Sequence, residues 1–149
     1  MNMKRGQISL DFLFAVTLIT LTMVNLVYIA SSETTHAETF DAVAKLKAFS
    51  IDVRDSVVKV YAVGDGFSVK KELPMDLDSG DKVTITLVPS NDTIMISATI
   101  AGRKYLVIQN SPVPIYRESS VTLTEADREF QIAATYNEME GRLYVDISS

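Results

Sequence analysis

Few residues of this chain are equipped for covalent chemistry. There is one histidine, His36, there is no cysteine, and no glycine-rich loop is present to cradle a phosphate. A nucleophile therefore has no partner base, and the common metal triads lack members. Asp76, Asp78 and Asp81 surround Gly80 in the manner of a calcium loop, but that loop needs a bidentate Glu in its last position, where counting from Asp76 gives Leu87. The segment reads as an acidic turn, and His36 as a solvated helix residue. These absences point to a non-enzymatic protein with no cofactor. A formal charge of −5 with scattered Lys and Arg argues against a nucleic-acid partner, which would demand clustered cations.

Three polar features remain. Asn91-Asp92-Thr93 is an Asn-x-Thr acceptor sequence for N-glycosylation, placed between two strand-like runs where a hairpin loop is expected. Asn25 sits among apolar residues, where its amide wants a hydrogen-bond partner that a neighbouring helix could supply; Thr17, Thr20 and Thr22 can instead return their hydroxyls to their own backbone. Asp11 is the single charge in an otherwise apolar run, and a carboxylate has little reason to stay there unless it offsets the cost.

The element that carries Asp11 and Asn25 is ISLDFLFAVTLITLTMVNLVYIA, residues 8–30. At about 1.5 Å per residue it is long enough to cross a hydrocarbon core of ~30 Å. Lys4 and Arg5 precede it, whereas Glu33, Glu38 and Asp41 follow. The positive-inside rule then leaves the N-terminus cytoplasmic and everything after Ser32 outside, with Tyr28 near the outer interface. A conventional secretory signal fits poorly, because Gly6, Gln7, Ser9 and Asp11 interrupt its start and the run exceeds the usual apolar length of about 7 to 15 residues.

Beyond Ala30 the helical pattern continues on one face through Phe40, Val43, Leu46, Phe49, Val53, Val57 and Val60, opposite Lys45, Lys47, Asp52, Arg54 and Lys59. No Pro or Gly interrupts residues 7–63, and Gly64-Asp65-Gly66 supplies a stop. Unbroken, such a helix measures about 84 Å, with Ser31-Ser32 as the expected place for a bend. The remainder alternates with period two around Phe67 and Val69, Val83 to Leu87, Ile94 to Ile100, Tyr105 to Ile108, Val121 to Leu123, Phe130 to Tyr136 and Leu143 to Ile147. Pro112 and Pro114 break any strand, and Asn137 to Gly141 suits a hairpin loop. The expected fold is α+β: a long N-terminal helix, membrane-spanning in its first half, packed on a C-terminal antiparallel β head at residues 64–149. The apolar face of residues 40–60 is expected to complete the head's core, because so small a head is marginal alone.

The stretch Lys4-Arg5-Gly6-Gln7-Ile8-Ser9-Leu10-Asp11-Phe12 resembles the class III signal peptide of archaeal type IV prepilins, in which a basic pair and Gly precede Gln-x-Ser-x-Glu. Two positions depart from that pattern: Asp11 stands where Glu is usual, and Ala15 where Leu is common. The resemblance covers about 25 residues. It implies a leader of residues 1–6, cut between Gly6 and Gln7 by a prepilin peptidase that recognises Lys4, Arg5 and Ser9. It further implies that the helix is kept, that Asp11 serves assembly, and that the partners are copies of the chain, sibling pilins, a platform membrane protein and an assembly ATPase. The expected course is a single-pass membrane precursor that later joins an extracellular filament. Two other readings share the topology: a membrane-anchored extracellular binding module, and a minor pilin or adhesin.

Overall fold

The computed structural model describes residues 3–149, with side chains described for 10–33 and 40–149. One helix, α1 (Met3–Val63), is followed by seven strands: β1 (Ser68–Glu72), β2 (Lys82–Val88), β3 (Thr93–Ile100), β4 (Arg103–Asn110), β5 (Ser119–Leu123), β6 (Glu129–Asn137) and β7 (Arg142–Ser148). The helix includes Gly6, whose cost within a helix is about 1 kcal/mol relative to Ala. Helical backbone continues through Ser31 and Ser32. The chain divides into two compact units, Met1–Asp41 and Ala42–Ser149.

The first unit is helix alone. Its stretch Leu10–Glu33 is long and apolar enough to cross a membrane, and none of it is buried within the chain. Phe12, Leu13, Phe14, Leu18, Val24, Val27 and Tyr28, which together circle the helix, are all exposed.

The second unit closes around the remaining turns of α1. Strand order is β1-β6-β7 in one sheet and β4-β3-β2-β5 in the other, every pairing antiparallel. The sheets meet where β5 lies beside β7, and there the Ile147 amide donates to Ser119 Oγ at 3.0 Å. At the far ends, β1 and β4 both reach the helix: Lys71 Nζ donates to Asp52 Oδ1 at 2.7 Å, and Gln109 Nε2 donates to Ser50 Oγ at 3.1 Å. The helix thus plugs a curled pair of sheets. Leu46, Phe49, Val53, Val57 and Val60 are buried against Val83, Ile85, Ile94, Ile96, Leu123, Phe130 and Ile132. At about 1.5 to 3 kcal/mol for each large side chain, these five positions contribute on the order of 10 kcal/mol. That is comparable with the whole stability of a small domain.

The sequence pattern extended this docking face back to residue 40. Phe40 is instead 75% exposed and Val43 is also exposed, whereas Leu46 is buried; Phe40 belongs to the first unit. Gly64 ends α1 at φ +98°, its amide donating to the Val60 carbonyl at 3.1 Å, a left-handed position that suits glycine. Gly141 plays the equivalent part in the β6–β7 hairpin at φ +63°, its amide bonded to the Asn137 carbonyl.

Candidate assembly site

Asp11 and Asn25 both lie on the exposed helix of the first unit. At about 100° per residue, Thr22 falls roughly 20° and Asn25 roughly 40° from the direction of Asp11, with Ala15 on the same side. Asp11, Ala15, Thr22 and Asn25 therefore share one side of the helix with Leu18 and Ile29, while Thr17 and Thr20 lie toward the other side. The helix thus brings Asp11 and Asn25, the two residues expected to serve assembly, to one side.

The hydroxyls on this helix are satisfied locally. Thr17, Thr20 and Thr22 each donate to the carbonyl four residues earlier, at 2.8 Å. Asn25 is only half satisfied: its Nδ2 donates to the Leu21 carbonyl at 3.0 Å, and its Oδ1 has no donor among the described residues. An amide acceptor left open on an apolar helix favours a facing helix that can supply a donor. Lys4, Arg5, Gly6, Gln7 and Ser9, which the sequence assigned to leader cleavage and peptidase recognition, lie outside the residues whose surroundings are described, as does His36.

On the head, Asn91 sits in the four-residue turn between β2 and β3, exposed. Its Oδ1 accepts from Thr93 Oγ1 at 2.6 Å and from Ser90 Oγ at 3.1 Å. The turn is anchored beneath it, since Asp92 Oδ1 accepts from the Ile115 amide at 2.7 Å and the Asp92 carbonyl accepts from the Ser111 amide at 2.7 Å. The acidic turn is likewise internally bonded: the Asp81 amide donates to the Asp78 carbonyl, and Asp81 Oδ1 accepts from the Ala101 amide at 2.9 Å. No cluster able to hold a metal ion occurs among the described residues.

One surface constellation was not legible in the sequence. At the β5–β7 seam, Arg117 stacks over Tyr144 and Arg142 over Tyr116, while the two tyrosine rings meet edge-on at 6.1 Å. Arg117 also binds Asp146 through both nitrogens of its fork, and this hydrogen bond together with the charge of Asp146 raises its pKa further. The Tyr144 hydroxyl donates to Glu140, which holds its pKa above the ordinary tyrosine value. The members are tens of residues apart or in different strands, so only the pairing of β6 with β7 and the proximity of β5 assemble them.

Comparison with protein-family models, with curated proteins and with solved structures found no match for this chain. The fold and the exposed helix thus define the class no further than an α+β protein with one N-terminal helix long and apolar enough to cross a membrane.

Proposed function

We propose that this chain is a structural, non-enzymatic pilin-like subunit. In this reading it is cut between Gly6 and Gln7 by a prepilin peptidase, held in the membrane by its helix, and then moved into an extracellular filament with copies of itself and sibling pilins. A platform protein and an assembly ATPase carry out that transfer. The observation that supports the reading is the exposed helix of the first unit, long and apolar enough to cross a membrane yet holding Asp11 and Asn25 on one side. A lipid anchor needs the first property and gains nothing from the second. A filament core needs both, since helices leaving lipid must cover one another again, at about 0.8 kcal/mol for each CH₂ otherwise exposed.

Cleavage before Gln7 would give every subunit a new α-amine, of ordinary pKa about 7.7 to 8.0, one helical turn from Asp11. The amine of one subunit and the Asp11 carboxylate of the next would pair at a fixed stagger. In a medium of low dielectric, losing half of such a pair is strongly unfavourable, so misaligned copies are rejected. Asp11→Ala should therefore be inserted and cleaved normally yet enter filaments poorly, while Asp11→Glu is largely tolerated. Filament numbers by electron microscopy, at matched membrane levels, measure this; wild-type incorporation of Asp11→Ala removes the proposed role.

The stacked Tyr116, Tyr144, Arg117 and Arg142 favour a second reading, a membrane-anchored binding module that never leaves the bilayer, since exposed Tyr and Arg are common at recognition surfaces. That protein would keep residues 1–6.

A further inference from the structure

An open cleft of about 360 Å³ lies on the head, lined by Thr135, Tyr136, Asn137 and Glu138 of the β6–β7 hairpin and by Arg117 and Tyr144 of the Arg-Tyr stack. Its size falls within the range usual for small-molecule sites, about 300 to 1,000 Å³. Strand pairing sets Thr135 beside Tyr144 and Asn137 beside Arg142. Asn137 is held by its own turn, since its Oδ1 accepts from the Met139 amide at 3.0 Å and from the Glu140 amide at 3.4 Å. Those bonds fix the side-chain amide, yet its Nδ2 has no acceptor among the described residues. Thr135 Oγ1 and the Glu138 carboxylate likewise have no hydrogen-bond partner among the described residues, and both residues are exposed. Tyr136 is 48% exposed, and its ring has neither an aromatic nor a cationic neighbour among the described residues, unlike Tyr116 and Tyr144. The cleft therefore offers an open donor, an open hydroxyl, an open acceptor and a bare aromatic ring.

We propose that this cleft binds a neutral sugar, the terminal pyranose of a glycan. A pyranose presents neighbouring hydroxyls, each both donor and acceptor, and a patch of C–H bonds that can lie against an aromatic ring. Asn137 Nδ2, Thr135 Oγ1 and Glu138 answer the hydroxyls, and the Tyr136 ring answers the C–H patch. The charges around the cleft disfavour ionic ligands of either sign, because Arg117 and Arg142 stand there together with Asp146, Glu138 and Glu140. An anion would find Arg117 already committed through two of its nitrogens to Asp146, and would meet the open carboxylate of Glu138. A cation would find the Tyr144 and Tyr116 rings already stacked with Arg117 and Arg142. A neutral polyol escapes both conflicts. Such a ligand deepens the binding-module reading, on whose surface it rests, and a head carried by a filament would hold the same cleft.

The test applies the full chain, in a zwitterionic detergent that carries no sugar, to immobilised oligosaccharides ending in glucose, galactose, mannose or N-acetylglucosamine, with glucuronate-terminated ones as the anionic arm. At least one neutral series should retain the chain, and the free methyl glycoside of its terminal sugar should displace it. Asn137→Asp keeps the acceptor that bonds the turn and removes the Nδ2 donor; Tyr136→Leu removes the ring, whereas Tyr136→Phe keeps it. The first two changes should weaken binding about tenfold or more, and Tyr136→Phe should leave it within about threefold. Circular dichroism of each variant should match that of the parent chain. Binding to none of the neutral sugars, binding to glucuronate alone, or neutral binding unchanged by Asn137→Asp or by Tyr136→Leu overturns the site. Neutral binding with the expected losses supports it whether the chain begins at Met1 or at Gln7. Failure to bind leaves the filament reading standing, since that reading is drawn from the helix.

Discussion

Phe49 is the position at which the dependence of the head on its helix can be measured. Its side chain is 1% exposed and its ring meets Phe130 edge-to-face at 5.8 Å, so it joins α1 to β6. Truncating a buried Phe to Ala costs about 3 to 5 kcal/mol. About 0.5 to 1.5 kcal/mol of that belongs to the aromatic pair. For a unit of this size, urea unfolding has a slope of about 1.5 kcal/mol/M, so a loss near 4 kcal/mol lowers the midpoint by roughly 2.5 M. Phe40→Ala is the matched control: the same chemical change on the same helix at a side chain that is 75% exposed should stay within about 0.5 kcal/mol. The assay is urea unfolding of the full chain in zwitterionic detergent, followed by tyrosine fluorescence and by far-ultraviolet circular dichroism, whose agreement tests two-state behaviour. Equal shifts from Phe49→Ala and Phe40→Ala would refute the argument that the head's core is completed by the helix from Leu46 onward.

Two further outcomes follow from the head. Asn91, exposed in the turn between β2 and β3, should carry an N-linked glycan in protein from its native host, and mass spectrometry of the peptide containing residues 91–93 reads it directly; an unmodified Asn91 rejects the modification alone. Tyr144 should titrate late because its hydroxyl donates to Glu140. With the folded-state value above the unfolded one, the bond stabilises the fold fully below about pH 10 and is lost as pH rises through the folded value. An alkaline tyrosinate titration should therefore lose its late step in Tyr144→Phe, and an unchanged titration curve contradicts the bond.

The elements were legible where a single periodicity governed them. Period-three-and-four spacing marked α1 and its docking positions from Leu46 to Val60, and period two marked all seven strands, because each element buries one face. What stayed hidden depended on which partner lay opposite. Phe40 and Val43 fit the helical stripe as well as Leu46 does, yet both are exposed where Leu46 is buried. Leu73, Met75 and Leu77 are buried without belonging to a strand, since Pro74 and the acidic turn end the pairing there while the chain still lays alternate side chains on the core. The Arg-Tyr stack joins the β4–β5 stretch to β7, and no local pattern announces such a meeting. On the helix, Asp11 and Asn25 are conspicuous as polar residues in an apolar run; the bond of Asn25 to the Leu21 carbonyl depends on its rotamer, which no sequence pattern specifies.

The decisive bond is the one between Gly6 and Gln7. Mass spectrometry of the intact protein from its native host, with N-terminal sequencing, should find a chain beginning at Gln7, as the free amine or its cyclised form, and lacking Met1 to Gly6. Loss of Lys4 and Arg5 takes the formal charge from −5 to −7. A mature chain beginning at Met1 or Asn2, or one cut conventionally to begin at Glu33, would contradict the filament-subunit reading.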